Sequence, residues 1–212
     1  MRKIFFVALI ALMLSVQNFC GAATIEPAKF NDNDKLIYPV VHVGNSAVDE
    51  KINGKIQTEL RSFIKQMHYA AQYEGNTVED MRMSYKVGSN ESGGTVILSI
   101  VLTKSWYYQG AAHPATVMET LNFNTATGAR MGLDYLTDIG DGVSVDELRG
   151  CVEQALIRHC ERENLQLFND ALPLKNLPEN FYWDENLHVH FIFQHYEVAP
   201  YAEGIIDVDI DA

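Results

Sequence analysis

The sequence predicts an α+β domain in which an antiparallel sheet of about five to six strands is packed by two main helices. Three observations carry the prediction. Val48, Ile52, Ile56, Leu60, Phe63, Ile64 and Met67 recur mostly at spacings of three and four, which lays one apolar stripe along a helix. A second stripe, Leu148, Val152, Ala155 and Leu156, follows Ser144 and Glu147, a capping box in which each side chain satisfies a backbone N–H near the other. The other apolar segments are short, β-branched or alternating, and are bounded by Gly, Pro, Asn and Asp.

Along the chain, Thr24 to Asp34 is polar and predicts a loose segment. Leu36 to Val43 is β-rich, and Pro39, lacking an N–H, confines that strand to an edge or a bulge. Ser46 with Asp49 resembles a capping box for the first helix, whose stripe ends near Met67. Met81 to Val87 alternates as a strand, Gly93-Gly94 turns, and Thr95 to Thr103 is a long apolar strand. Ala115 to Asn124 alternates again before a turn at Asn124 to Gly128. The second helix runs through Cys160, residues 165–180 are irregular around Pro173 and Pro178, and Leu187 to Phe193 and Ile205 to Ile210 return to strand. Ala199 to Gly204, between them, reads as turns.

Composition narrows the function classes. The 212 residues include 16 Lys and Arg against 28 Asp and Glu, a formal charge of -12, which is poorly suited to holding a polyphosphate backbone. Nucleic acid is therefore an unsuitable partner. Met1-Arg2-Lys3, the nearly unbroken apolar run of 13 from Ile4 to Val16, and the small residues Cys20-Gly21-Ala22-Ala23 predict a secretory signal peptide over residues 1–23, cleaved at Ala22 or Ala23. As a helix that run rises only about 20 Å, short of the roughly 30 Å hydrocarbon core, so no membrane span is expected after processing. Gln17-Asn18-Phe19 is unlike the small, apolar approach of a lipoprotein signal at Cys20. Loss of Arg2 and Lys3 with no acid takes the charge from -12 to -14, so the expected product is an acidic domain that is exported, periplasmic or extracellular. Cys151 and Cys160, nine residues apart on one helix, would lie about 13 Å apart, beyond the roughly 7 Å reach of a disulfide.

Candidate chemistry is sparse. His188 and His190 share a strand face, a spacing that can chelate a transition metal, but further ligands from Asp207, Asp209 or Asp211 are not fixed by the sequence, and a solvated face is the expectation. Neither Asn31 to Asp34 nor Asp138 to Asp146 has the calcium-loop pattern. No Gly-x-Ser-x-Gly, phosphate-cradling glycine loop or His-Glu-x-x-His occurs, so no catalytic residue, metal or cofactor is assigned. Carboxylate pairs such as Asp184-Glu185, or Glu197 with Glu203, leave a hydrolase as the alternative. Two segments are rich in aromatic and turn residues: Trp106 to Pro114 and Phe193 to Gly204. Their amphipathic rings suit either bracing a corner of the sheet or stacking on a sugar or partner protein, and Tyr107, Tyr108, His113, Tyr196, Glu197 and Tyr201 are the candidate partner- or glycan-binding residues.

Tyr107-Tyr108-Gln109-Gly110-Ala111-Ala112-His113-Pro114, then Leu121 to Gly128 leading to Leu133-Asp134-Tyr135-Leu136, and finally Tyr196-Glu197-Val198-Ala199-Pro200-Tyr201-Ala202-Glu203-Gly204 resemble, in order, the extracytoplasmic domain of unknown function 3298. Ala111 stands where that family usually has a second glycine. Tyr38-Pro39 followed by the helix containing Ile52-Asn53 is similar to its usual N-terminal companion, domain of unknown function 4163. The resemblance divides a single extracytoplasmic domain, 24–212, into an N-terminal part over 35–90 and a C-terminal part over 91–212. This pair occurs in the lysozyme-binding ectodomain of the RsiV anti-sigma factor and in the N-terminal region of the peptidoglycan deacetylase PdaC. The chain has no sigma-binding segment, transmembrane helix or deacetylase domain with its His motif, so the resemblance implies only the binding module. The expectation is a non-enzymatic cell-envelope domain for a basic protein such as lysozyme or for a peptidoglycan-type glycan.

Overall fold

The computed structural model describes residues 22–139 and 143–211, so most of the expected signal peptide and Gly140 to Gly142 lie outside the described residues. The strands are β1 (Thr24–Phe30), β2 (Asn33–His42), β3 (Val78–Asn90), β4 (Ile97–Tyr108), β5 (Ala115–Asn124), β6 (Asn180–Trp183), β7 (Val189–Phe193) and β8 (Ile206–Asp209). Helix α1 (Ser46–Tyr73) lies between β2 and β3, and α2 (Leu133–Ile139) and α3 (Val145–Glu163) lie between β5 and β6. The strands form two sheets, β1-β2-β3-β4-β5 and β6-β7-β8. All pairings are antiparallel except the single parallel bridge of Leu36 with Met83 that joins β2 to β3. Among the described residues no helix is long and apolar enough to cross a membrane.

Parity along β4 and β5 sets the layers. Leu98, Ile100 and Leu102, with Leu121 and Phe123, join Ile52, Ile56, Leu60, Phe63 and Met67 of α1 in one core. The opposite parity, Val101 and its neighbours, meets Tyr182 and Ile192 of the second sheet. That sheet turns Phe181, Trp183, Phe191, Phe193, Ile206 and Val208 to Leu148, Val152, Ala155 and Leu156 of α3. The order is thus α1, five-stranded sheet, three-stranded sheet, α3. Each fully buried Ile or Leu in these cores contributes about 1.5–3 kcal/mol relative to an exposed one.

β5 is covered on both sides, so its polar residues become connectors. Thr120 N–H donates to Asn180 Oδ1 (3.0 Å), Asn122 Nδ2 donates to Phe181 O (2.7 Å), and Thr120 Oγ1 accepts from Phe181 N–H (3.1 Å). On β4, Ser99 Oγ accepts from Trp183 N–H (3.1 Å), so the free edge of β6 is satisfied by side chains of the other sheet.

Several sequence expectations are revised. The segment from Thr24 to Asp34 is not loose: it forms β1 and the start of β2, and it reads as polar because β1 is an edge strand with one side in solvent. Asn45, not Ser46, caps α1, accepting from Ala47 N–H (3.1 Å). Asp49 turns to the incoming strand instead and accepts from Val43 N–H (2.7 Å). Helix α1 continues past Met67 to Tyr73, buries Ala70, and stops where Gly75 takes a φ of 69°. The short strand β6 emerges from the end of the irregular stretch. The strand expected to end at Thr103 continues through Trp106 to Tyr108. Pro39 faces Pro27 of β1, and β2 meets β3 only at Leu36, so the far side of Pro39 has no neighbouring strand. The Ser144–Glu147 capping box is present as expected, and both α3 cysteines are free, Cys151 exposed and Cys160 buried.

Candidate functional site

The aromatic corner joins the loop after β4 to the turns between β7 and β8. Gly110, at a φ of 81°, lets Ala111 N–H fold back onto Tyr108 O (3.0 Å), and the Tyr107 hydroxyl donates to Ala111 O (3.0 Å). This places His113 and Pro114 opposite the 3₁₀ turn Tyr201–Glu203. The Pro114 carbonyl accepts from the Tyr201 hydroxyl (2.9 Å), and His113 Nδ1 lies 3.0 Å from the same oxygen. The Tyr201 ring is sandwiched, with His113 stacked at 3.7 Å between centroids and His195 at 4.2 Å. Both of its π-faces are therefore covered by histidines.

His195 Nδ1 is buried without a hydrogen-bond partner, and burial, followed by the neighbouring His113, holds the His195 pKa below the ordinary histidine value. The shift favours the neutral imidazole, which suits a ring packed flat on a phenol. The turn carrying it is anchored to β5: Met118 N–H donates to Gln194 Oε1 (3.0 Å) and Gln194 Nε2 donates to Met118 O (2.7 Å). Glu197 closes the turn by accepting from Gln194 N–H (2.7 Å). Tyr196 takes the left-handed φ of 65° and stands 59% exposed beside Tyr201, with ring centroids 5.8 Å apart.

The sequence candidates thus divide. His113, Tyr196, Glu197 and Tyr201 come together at this corner, and Tyr107 braces its loop. Tyr108 points to the other side of the sheet, where it packs on the α1 core and its hydroxyl meets Met67 Sδ at 3.9 Å. His195 and Gln194 belong to the corner and were not among the candidates, because β7 ends at Phe193 and strand parity no longer locates the residues beyond it.

Two further polar clusters stand apart from it. Between β3 and the second sheet, Asp207 accepts from the Tyr182 hydroxyl (2.8 Å), pairs with His190 Nδ1 (2.9 Å) and lies 3.3 Å from Lys86 Nζ, while His188 pairs with Asp209 (2.9 Å). The strand-face histidines thus meet the aspartates of β8 as ion pairs. Among the described residues no group of three or more His, Cys, Asp and Glu is placed to hold a metal ion. Between α1 and the first sheet, Lys104, only 8% exposed, pairs with Glu119 and with Glu59 (3.4 Å). Burial, and then the Glu119 carboxylate, push the Glu59 pKa above the ordinary range. Burial likewise raises Glu197, with Glu179 adding to it against the Gln194 N–H.

A cavity of about 580 Å³ opens between the end of α1 and β3, floored by Met67 and Met81. A smaller one of about 240 Å³ lies beside the corner, lined by Phe168, Leu174, Phe193, Val198, Asp170 and Glu197 among others.

The family described as Deacetylase PdaC matches residues 32–116, and the family described as Protein of unknown function (DUF3298) matches residues 143–212. The chain joins a PdaC-like segment to a DUF3298-like segment. A crystal structure of a DUF3298 family member from Bacteroides fragilis is similar over 88% of this chain and 87% of that one, at 15% identity and a TM-score of 0.52, and it shows the shared fold. No curated protein matches the chain. His113 and Pro114 fall within the PdaC-like segment, and His195, Tyr196 and Tyr201 within the DUF3298 segment. The corner is where side chains of the two matched segments stack.

Proposed function

We propose that this is a non-enzymatic, exported domain of the bacterial cell envelope that binds a basic protein such as a lysozyme through the corner around Tyr196. The observation that carries the reading is the placement of Tyr196: an exposed ring on a turn fixed by the Gln194–Met118 and Glu197–Gln194 bonds, next to a Tyr201 already sandwiched by histidines. A rigid aromatic anchor amid carboxylates is what a cationic protein surface recognises. With Tyr201 covered, Tyr107 tied to its own loop and Tyr108 packed on the core, few tyrosine faces remain to stack on a glycan, which favours a protein partner. The PdaC-like and DUF3298 matches support a cell-wall setting, and the resemblance to lysozyme-binding ectodomains supports the partner class.

The test is biolayer interferometry of the processed chain against a basic lysozyme at low and physiological salt, with Tyr196→Ala as the control. Binding that survives physiological salt and weakens at least tenfold in the variant supports the proposal, since an interface anchor of this type is worth about 2 kcal/mol or more. Absence of binding, with retention on peptidoglycan fragments, would replace the protein partner by a glycan.

A second reading is a carboxylate-dependent cell-wall hydrolase working through Glu197, which lines a cavity and whose carboxyl burial raises. It predicts fragment release from cell-wall substrate with a bell-shaped pH profile. No turnover from mildly acidic to mildly basic pH would dispose of it.

A further inference from the structure

The cavity of about 240 Å³ beside Tyr196 has a chemistry of its own. Its lining is mixed: Phe168, Leu174, Phe193 and Val198 form an apolar side, and polar and charged groups line the rest. The apolar side is fixed, because Phe168 N–H donates to Val198 O (2.9 Å), Ala171 N–H to Phe168 O (3.1 Å), and Leu174 N–H to Glu153 Oε2 of α3 (2.7 Å). Its charged lining is Asp170, Glu197 and Lys175, and Glu179 lies near enough to Glu197 to act on its carboxylate. One oxygen of Glu197 is held by Gln194 N–H, which fixes the group's orientation, and the other has no hydrogen bond among the described residues.

An apolar side next to an oriented carboxylate, Glu197, forms a receptor for a long side chain with an aliphatic stem and a cationic head. We infer that this cavity receives a single arginine or lysine side chain of a basic protein partner, with the stem against Phe168, Leu174 and Val198 and the head on Glu197 and Asp170. The volume suits one side chain and is small for the 300–1,000 Å³ sites that hold drug-sized ligands. Two lining carboxylates, Asp170 and Glu197, against the one ammonium of Lys175 make the cavity attractive to cations, in keeping with a chain of charge -12. Lys175 is a competitor at the rim, so its removal must strengthen binding while removal of Glu197 weakens it. This inference rests on the proposed protein partner, supplying the residue type that partner presents beside Tyr196.

The experiment titrates the isotope-labelled processed chain with Nα-acetyl-arginine amide and, as a neutral near-isostere, Nα-acetyl-citrulline amide. Amide resonances of Phe168, Ala171 and Val198 are followed by NMR. Saturable shifts with the arginine compound, none with citrulline, a loss of about tenfold in affinity in Glu197→Gln and a gain of about two- to threefold in Lys175→Ala are expected. The opposite signs of the two variants cannot both arise from damaged folding. No saturable shift, or equal affinity of wild type and Glu197→Gln, would overturn the inference. Lysozyme binding unaffected by Glu197→Gln would also overturn it while leaving the proposed function standing. Arginine binding in the cavity without lysozyme binding would uphold the cavity and sink the proposed partner.

Discussion

The carboxamide of Asn53 in α1 binds both backbone groups of Val41 in β2, accepting its N–H at 2.8 Å and donating to its carbonyl at 2.7 Å. Beyond Leu36, β2 has no strand on its α1 side, and Asn53 supplies there the donor and acceptor that a neighbouring strand would have supplied. The same two-point clamp recurs where Asn90 holds Ala23 and where Gln194 holds Met118. Three side-chain amides thus finish sheet edges that the topology leaves open.

Replacing Asn53 by Ala leaves one partly buried N–H and one C=O without partners. The expected loss is about 2–3 kcal/mol, at roughly 1–3 kcal/mol for each orphaned group with some relief from water. Urea denaturation checks it: the midpoint should fall with the slope unchanged. Asn53→Asp, which keeps the acceptor but sets a carboxylate oxygen against the Val41 carbonyl, should cost at least as much.

Gly88 and Gly54 should respond to alanine with opposite signs. A Cβ on Gly88 would sit inside van der Waals contact of the Trp183 carbonyl oxygen and 2.9 Å from the Tyr182 ring, at the crossing of β3 and β6. Backbone cannot yield there cheaply, so Gly88→Ala should cost about 3 kcal/mol or more. Gly54 lies within α1 with nothing near its would-be Cβ, and Gly54→Ala should add about 0.5–1 kcal/mol. Thermal melts of the two variants against wild type decide both.

The two helices were legible because their stripes and the Ser144–Glu147 box are local signals with a fixed period. β1 and β6 were not. β1 has a solvent side that hides its alternation, and β6 is four residues long and held to Ser99, Thr120 and Asn122 far away in sequence. The same limit applied at the corner. Tyr201 and His113 could be singled out as aromatic and turn-bound, but the covering of Tyr201 by His195 depends on a turn whose left-handed Tyr196 breaks the strand parity. Partner identity across 88 residues, as for His113 and Tyr201, leaves no periodic trace in a single sequence.

The His190–Asp207 pair should make stability depend on pH in a defined window. Burial opposes the charged imidazole, yet Asp207, with Asp209 and Asp184 behind it, outweighs burial and holds the His190 pKa above the ordinary 6.5. Its stabilisation is then full below that value and is lost as pH rises through the raised pKa. Burial likewise works against ionised Asp207, but His190, the Tyr182 hydroxyl and Lys86 hold its pKa below the ordinary 3.8, so its contribution is present above that value and is lost as pH falls through the lowered pKa. His188 and Asp209 flank the pair on the same face. His190→Gln should therefore cost about 1–2 kcal/mol between roughly pH 4 and 6.5 and less at pH 9. Melting temperatures of both proteins across pH check this; a gap that widens with rising pH would contradict it.

Asn90 also discriminates between the two cleavage positions that the N-terminal sequence leaves open. Ala23 is only 5% exposed, donates its N–H to Asn90 Oδ1 (3.0 Å) and accepts from Asn90 Nδ2 (2.9 Å). Cleavage after Ala22 preserves this clamp, because the new terminal ammonium can still donate to the same oxygen. Cleavage after Ala23 removes a buried residue and leaves both ends of the Asn90 carboxamide without those partners, at a cost of about 1–3 kcal/mol. If the expected signal peptide is removed, the processed chain should accordingly begin at Ala23, with Asn90→Ala destabilising it by a similar amount. Intact-mass measurement of the secreted chain is the check, and a product lighter by one alanine residue would show that the clamp does not govern processing.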